Sequence, residues 1–226
     1  MLRYALRSFP FYIKRMQILD FDNINKYTEF KTWLTSLSPS QVMEKKQEIR
    51  NGVWDLLEYA YVLGFKDARD ELGVVADGFE RFLPDDYKDE PNVKSKATHK
   101  GSYIPKDFVE QKDASIYKKF GDEDFSQRVI KYAELGDVSS IIRVAETDGH
   151  RVYNDGGYEG AKNFATSKTW ETMMDAKVRD PHWELEGVTV GMDDFFEIDG
   201  AKAKYPGDFG VPELDINCRC TISYNL

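Results

Sequence analysis

The clearest periodicity lies between residues 38 and 72. Val42, Ile49, Val53, Leu56, Leu57, Ala60 and Leu63 recur at helical spacing, which predicts a helix with one apolar stripe. Its start is written in Ser38-Pro39-Ser40-Gln41. The serine can cap, the proline suits the first turn, and the glutamine three residues on can complete a capping box. The helix is expected to reach about Gly64 and to continue over 67–72 after a bend, with Gly73 as its stop. A second helix is expected over 124–135, carrying Phe125, Val129, Ile130 and Ala133. Gly136 ends it and Asp137 caps a third. That third helix places Ile141, Ile142, Val144, Ala145 and Val152 on an apolar face and reaches Ala161 or Phe164, with Gly156-Gly157 expected to weaken its middle or end it early. After Ser167 the texture changes to short alternating pieces. Residues 168–173, 188–190, 195–198 and 220–224 read as strands among turns.

The fold class expected is therefore α+β: a helical N-terminal part, then a small C-terminal lobe of helices and a short, mostly antiparallel sheet. Four segments follow. Residues 1–35 read as an aromatic and basic arm, with Pro10 interrupting any early helix. Residues 36–76 are the helical segment. Residues 77–122 read as a linker or long exposed loop, punctuated by Pro84, Pro91 and Pro105 among charged runs. Residues 123–226 form the α+β domain.

Composition sharpens this picture in two ways. The chain has 226 residues and a net charge of −9, so its surface repels duplex DNA at long range. The exception is the arm, where Arg3, Arg7, Lys14 and Arg15 have no acid among them. No apolar run approaches a membrane span, and the N-terminus lacks the layout of a signal peptide, so a protein made in the cytoplasm and without membrane contact is expected. The two cysteines, Cys218 and Cys220, stand in one tetrapeptide. Disulfide geometry is demanding at so short a spacing, and reduced thiols or metal thiolates are expected instead.

Four readings compete for the chemistry of Asp175, Arg179, His182, Cys218 and Cys220. The first is a zinc site of two thiolates and the His182 imidazole, with His150 or Asp175 as fourth ligand. The second is a structural network in which Arg179 and Arg219 pair with carboxylates such as Asp175 or Asp215. The third is a Cys–His nucleophile, disfavoured because no glycine-rich turn follows to supply an oxyanion hole. The fourth is phosphate chemistry by His182 and Arg179 in a small nuclease or transferase. Arg143, Glu146, Thr147, His150 and Arg151 fall close together on one helix, as a solvated face or as an edge that packs on the Cys/His lobe. No phosphate loop, dinucleotide fingerprint or hydrolase elbow occurs.

The order of several short motifs carries a resemblance. Ala145-Glu146-Thr147 is followed by Arg151-Val152-Tyr153-Asn154-Asp155-Gly156, then Lys168-Thr169-Trp170, then Asp175-Ala176-Lys177-Val178-Arg179-Asp180-Pro181-His182. Leu185-Glu186-Gly187, Phe195-Phe196, Tyr205-Pro206-Gly207-Asp208 and Asn217-Cys218-Arg219-Cys220 complete the series. Over roughly residues 123–224 the chain resembles the phage Mu F-like family of minor head proteins, also called head morphogenesis proteins. The resemblance implies a virion component inside the head of a tailed phage or prophage, near the portal, present in multiple copies. It implies the portal protein or major capsid protein as partner, contact with packaged DNA, and a part in DNA packaging or ejection. It implies no catalytic residue, and its signature positions here are Trp170, Asp175, Arg179, His182, Gly187, Pro206, Asn217, Cys218, Arg219 and Cys220. The alternative class is a small metal- or histidine-dependent enzyme acting on nucleic acid or nucleotide.

Overall fold

Two long helices pressed together at their backbones organise the chain. The computed structural model describes residues 19–74, 78–90 and 104–226. In chain order the elements are α1 (Asn25–Ser36), α2 (Pro39–Glu44), α3 (Lys46–Glu71), α4 (Phe108–Ile116), α5 (Phe125–Glu134) and α6 (Val138–Ala161). The lobe follows with β1 (Ser167–Glu171), α7 (Asp180–Trp183), β2 (Thr189–Gly191), β3 (Phe196–Ile198), β4 (Ala201–Ala203), α8 (Pro212–Asp215) and β5 (Thr221–Asn225). The class is α+β, with one three-stranded sheet in the order β2-β1-β5 and one two-stranded sheet β3-β4. Every pairing is antiparallel.

The expected helix starts hold. Ser38 and Gln41 form a reciprocal capping box at α2, Asp124 and Gln127 form another at α5, and the Asp137 carboxylate accepts from the Ser140 amide at α6. The stop at Gly73 also holds, with φ +69. The expected bend does not lie at Gly64. The break falls at Lys45, between α2 and α3, and α3 runs through Gly64 to Glu71.

The reason α3 passes Gly64, and α6 passes Gly156-Gly157, is the same. A Cβ on Gly64 would stand 2.0 Å from the Tyr153 carbonyl oxygen, one on Gly156 2.3 Å from that of Tyr61, and one on Gly160 2.5 Å from that of Phe65. Low helix propensity at these positions is outweighed by the packing it permits: bare backbone lets the two helices approach far closer than side chains would allow. Around the seam, Leu56, Leu57, Tyr61 and Phe65 of α3 and Ile141, Ala145, Val152 and Tyr153 of α6 are buried. One apolar cluster runs from Leu19 to Tyr224, so the helical part and the lobe share a core.

Two segments differ from expectation. Within the arm, residues 1–18 with their basic side chains lie outside the described residues, but 25–36 form α1. Tyr27 and Leu34 are buried, Phe30 packs against the core, and the Tyr27 hydroxyl donates to Glu146 at 2.6 Å. The stripe was obscured by the other aromatics interleaved with it. The expected linker also contributes to the core. Phe79, Leu83, Tyr87 and Phe108 are buried, and Phe65, Phe79, Phe82 and Phe108 form a ring cluster with centroids 4.8–5.3 Å apart for neighbours such as Phe82–Phe108 and Phe79–Phe108. Prolines and charges hid these aromatics in the pattern.

Replacing Gly156 with alanine should destabilise the protein by about 3 kcal/mol, the upper end of overpacking, because the methyl meets carbonyl backbone and not a movable side chain. Gly187→Ala, at φ +72 with no atom within 4 Å of the added carbon, should cost only the left-handed backbone penalty, about 1–2 kcal/mol. Urea unfolding of the two variants checks the ordering.

Candidate functional site

The lobe brings His182, Cys218 and Cys220 together. His182 comes from α7, which Pro181 helps to start. The cysteines come from the stretch between α8 and β5, directly after the turn at Asn217. The Nδ1 atom of His182 lies 3.6 Å from Cys218 Sγ and 3.4 Å from Cys220 Sγ. All three residues are nearly sealed from solvent, at 2%, 4% and 3% exposure for His182, Cys218 and Cys220, and both thiols are free of disulfides. The imidazole sits between Trp170, edge to face at 5.6 Å, and Phe209. The two sulfurs are unequal. Cys218 is held well below the ordinary thiol range by hydrogen bonds from Cys220 and His182, against the opposing effect of burial. Cys220 is pushed up by the same contact with Cys218 and by burial.

Charged side chains around this core fix the backbone that carries it. Arg179 donates from Nη1 to the Leu214 carbonyl at 3.0 Å and from Nη2 to that of Ile216, clasping the turn that precedes the cysteines. Arg219 forks onto Asp175 at 2.6 and 2.9 Å. That contact holds the Asp175 carboxyl down at about 2. Asp215 accepts from the amides of Phe209, Gly210 and Val211, so it closes a loop and does not pair with either arginine. Burial raises its carboxyl to about 6.

The other expected positions serve backbone geometry. Asn217 has φ +57 and its amide donates to Thr147 Oγ1 of α6 at 3.3 Å, tying the cysteine turn to the long helix. Gly187, in the left-handed region, donates its amide to the Trp170 carbonyl at 2.9 Å, and the Trp170 amide donates to the Val188 carbonyl at 2.9 Å, just ahead of β2. Pro206 and Gly207 occupy the middle of a turn closed by the Asp208 amide on the Tyr205 carbonyl, packed against Arg151.

His150 and Asp175 do not join the thiols as ligands. The three groups within 4.8 Å of one another are His182, Cys218 and Cys220. His150 projects from α6 against Phe21, with ring centroids 5.0 Å apart, and burial plus the nearby Arg219 charge lower its pKa to about 4. Asp175 is occupied by Arg219. The helix edge expected around Thr147 divides: Arg143 is exposed, Glu146 meets Tyr27 and Lys31, Thr147 touches the lobe, and Arg151 is buried with Asp148 and the Ser115 carbonyl.

Three contributors had no role at the site assigned from the sequence. Lys168 alternates with Trp170 on the buried face of β1, at 0% exposure. Its ammonium donates to the carbonyls of Met192 and Asp194 at 2.7 and 2.8 Å, and burial with the Lys204 charge lowers its pKa to about 8. The two-residue period of 168–170 was the available signal. Asn154 bridges α6 to the site by donating to the Cys220 carbonyl at 3.2 Å. A cavity of about 960 Å³ opens beside the lobe, walled by Phe21, Glu146, His150, Arg179, Cys218 and Arg219.

Arg179→Met should leave two carbonyls unpaired and lower stability by about 1–3 kcal/mol, read as a shift in urea midpoint. His150 is neutral when folded, and its folded pKa of about 4 lies below the ordinary 6.5. Between those values the unfolded chain binds more protons, so stability falls as pH drops through the window. Thermal melts of wild type and His150→Gln between pH 7 and 4 should show the wild type losing more.

Residues 116–223 match the sequence model of the family described as Phage Mu protein F like protein. The chain is 33% identical over 109 residues to Minor head protein GP7 of Bacillus phage SPP1, a stretch that covers 46% of this chain and 35% of that protein. It is 41% identical over 85 residues to NAD(+)--arginine ADP-ribosyltransferase EFV of Enterococcus faecalis (strain ATCC 700802 / V583), covering 35% of this chain and 18% of that one. The chain thus spans well under two thirds of either relative. No solved structure matches it significantly. The matched segment holds α5, α6 and the lobe as far as Ser223, with its Cys/His centre, so the likeness to the phage Mu F-like family lies in that part of the chain.

Proposed function

We propose that this chain is a non-enzymatic minor head protein of a tailed phage or prophage, assembled into the head and docked on the portal or inner capsid, with a part in DNA packaging or ejection. The observation that carries the reading is the coincidence of the family match with one folded unit. Of the signature residues, Trp170, Arg179, His182 and Arg219 act inside the lobe through their side chains, gripping its loops or filling its core, and the Asn217 backbone amide ties the lobe to α6. An acidic protein, with net charge −9, also suits a DNA-filled interior, because it limits nonspecific adhesion to the genome. Among the described residues no helix is long and apolar enough to cross a membrane.

The burial of the Cys/His centre argues against the enzymatic alternative. A nucleophile or general acid must reach its substrate, and here the imidazole is covered by Trp170 and Phe209 and both cysteines are buried, although Cys218 borders the larger cavity. The similarity to the ADP-ribosyltransferase spans 18% of that enzyme, too little to bring its activity here.

Recombinant full-length chain should co-sediment with portal rings of the same phage, and the protein should be present in purified virions at several copies per particle by quantitative mass spectrometry. Its absence from virions would refute the assignment.

A further inference from the structure

The Cys/His centre has more donor capacity pointed inward than hydrogen bonding can use. A neutral imidazole nitrogen has one lone pair or one proton, so Nδ1 of His182 can serve one sulfur as a hydrogen-bond partner. It faces two, at 3.4 and 3.6 Å. A cation at the centre of the three atoms would serve both contacts at once. The distances agree with that arrangement. A tetrahedral zinc ion with Zn–S near 2.3 Å and Zn–N near 2.0–2.1 Å sets its nitrogen and sulfur ligands about 3.6 Å apart.

The surroundings fit an ion as well. A hollow of about 10 Å³ adjoins the three donors, bounded also by Met173, Val178 and Arg179. That is the space of about one water, enough for a solvent ligand and far too small for a substrate. Charge balances: two thiolates and a neutral imidazole around a divalent cation sum to zero, so the buried site requires no further counterion. The donors are also held in place independently of any ion, by the Arg179 clasp, the Arg219–Asp175 fork and the Asn217 turn.

We propose that His182 Nδ1, Cys218 Sγ and Cys220 Sγ bind one Zn²⁺, with water in the fourth position, and that the ion pins α7 to the segment leading into β5. Binding displaces the two thiol protons to solvent, so uptake of the metal weakens as pH falls. The role is structural. The ion links segments 36 and 38 residues apart in a lobe whose sheets are only three and two strands wide.

The test uses the full chain, expressed without a histidine tag and purified under reducing conditions without chelator. Elemental analysis should find one zinc per chain. Replacement by Co²⁺ should give a thiolate-to-cobalt charge-transfer band and the intense visible bands of a tetrahedral ion. Cys218→Ser should weaken the charge-transfer band and lower the zinc content, whereas His150→Gln should retain one equivalent. Strong chelator should lower the wild-type Tm, and added zinc should restore it. Wild-type protein that takes up neither zinc nor cobalt, with a Tm indifferent to chelator, would overturn the proposal, as would loss of the metal in His150→Gln. Should Cys218→Ser fail to fold, the wild-type cobalt spectrum and chelator response decide the question.

Discussion

The direct backbone contact between α3 and α6 is the constraint on which the rest of the structure depends. With Gly64, Gly156 and Gly160 in the seam, carbonyl groups of each helix lie where side chains would otherwise stand. The close approach aligns the inward faces of both helices, and it determines what α6 offers elsewhere. From the one helix, Glu146 receives Tyr27 and Lys31, Thr147 receives the cysteine turn, and Asn154 reaches the Cys220 carbonyl. The lobe is therefore assembled onto a helix whose position is set by packing on the opposite side.

The lobe itself is small, and polar groups add to its apolar core in ordering it. Its strands are three to five residues long. Polar groups do much of the positioning: Arg179 on two carbonyls, Asp215 on three amides, Lys168 on two carbonyls, and Arg219 on Asp175. Most of these join a charged side chain to backbone. Such bonds specify loop shape strongly, since removing the side chain strands buried backbone groups that have no other partner.

Much of this was legible in the sequence, because some signals are local. Ser38-Pro39-Ser40-Gln41, Gly73, Gly136 and Asp137 each act on atoms within a few residues, and each marks a boundary the structure has. The convergence of His182 with Cys218 and Cys220 was legible from the rarity of the residue types. What escaped depends on neighbours distant in the chain. Gly156-Gly157 looks like a weakness until Tyr61 and Phe65 are placed against that helix. Lys168 looks solvated until Met192 and Asp194 turn their carbonyls toward it. Phe79 and Phe108 look like loop residues until Phe65 supplies the third ring. His150 looked like a fourth ligand because sequence cannot show that Phe21 stands over it.

The left-handed backbone at Asn217 and Gly187 bears on how relatives of this lobe should be compared. Few L-residues tolerate that torsion, and asparagine and glycine are foremost among them. An alignment that found these columns nearly uniform would be recording a steric filter on chain direction. Interchange of Asn and Gly at 217 would preserve the bend that carries both sulfurs inward, so uniformity in that column would be weak testimony for chemistry at the asparagine amide.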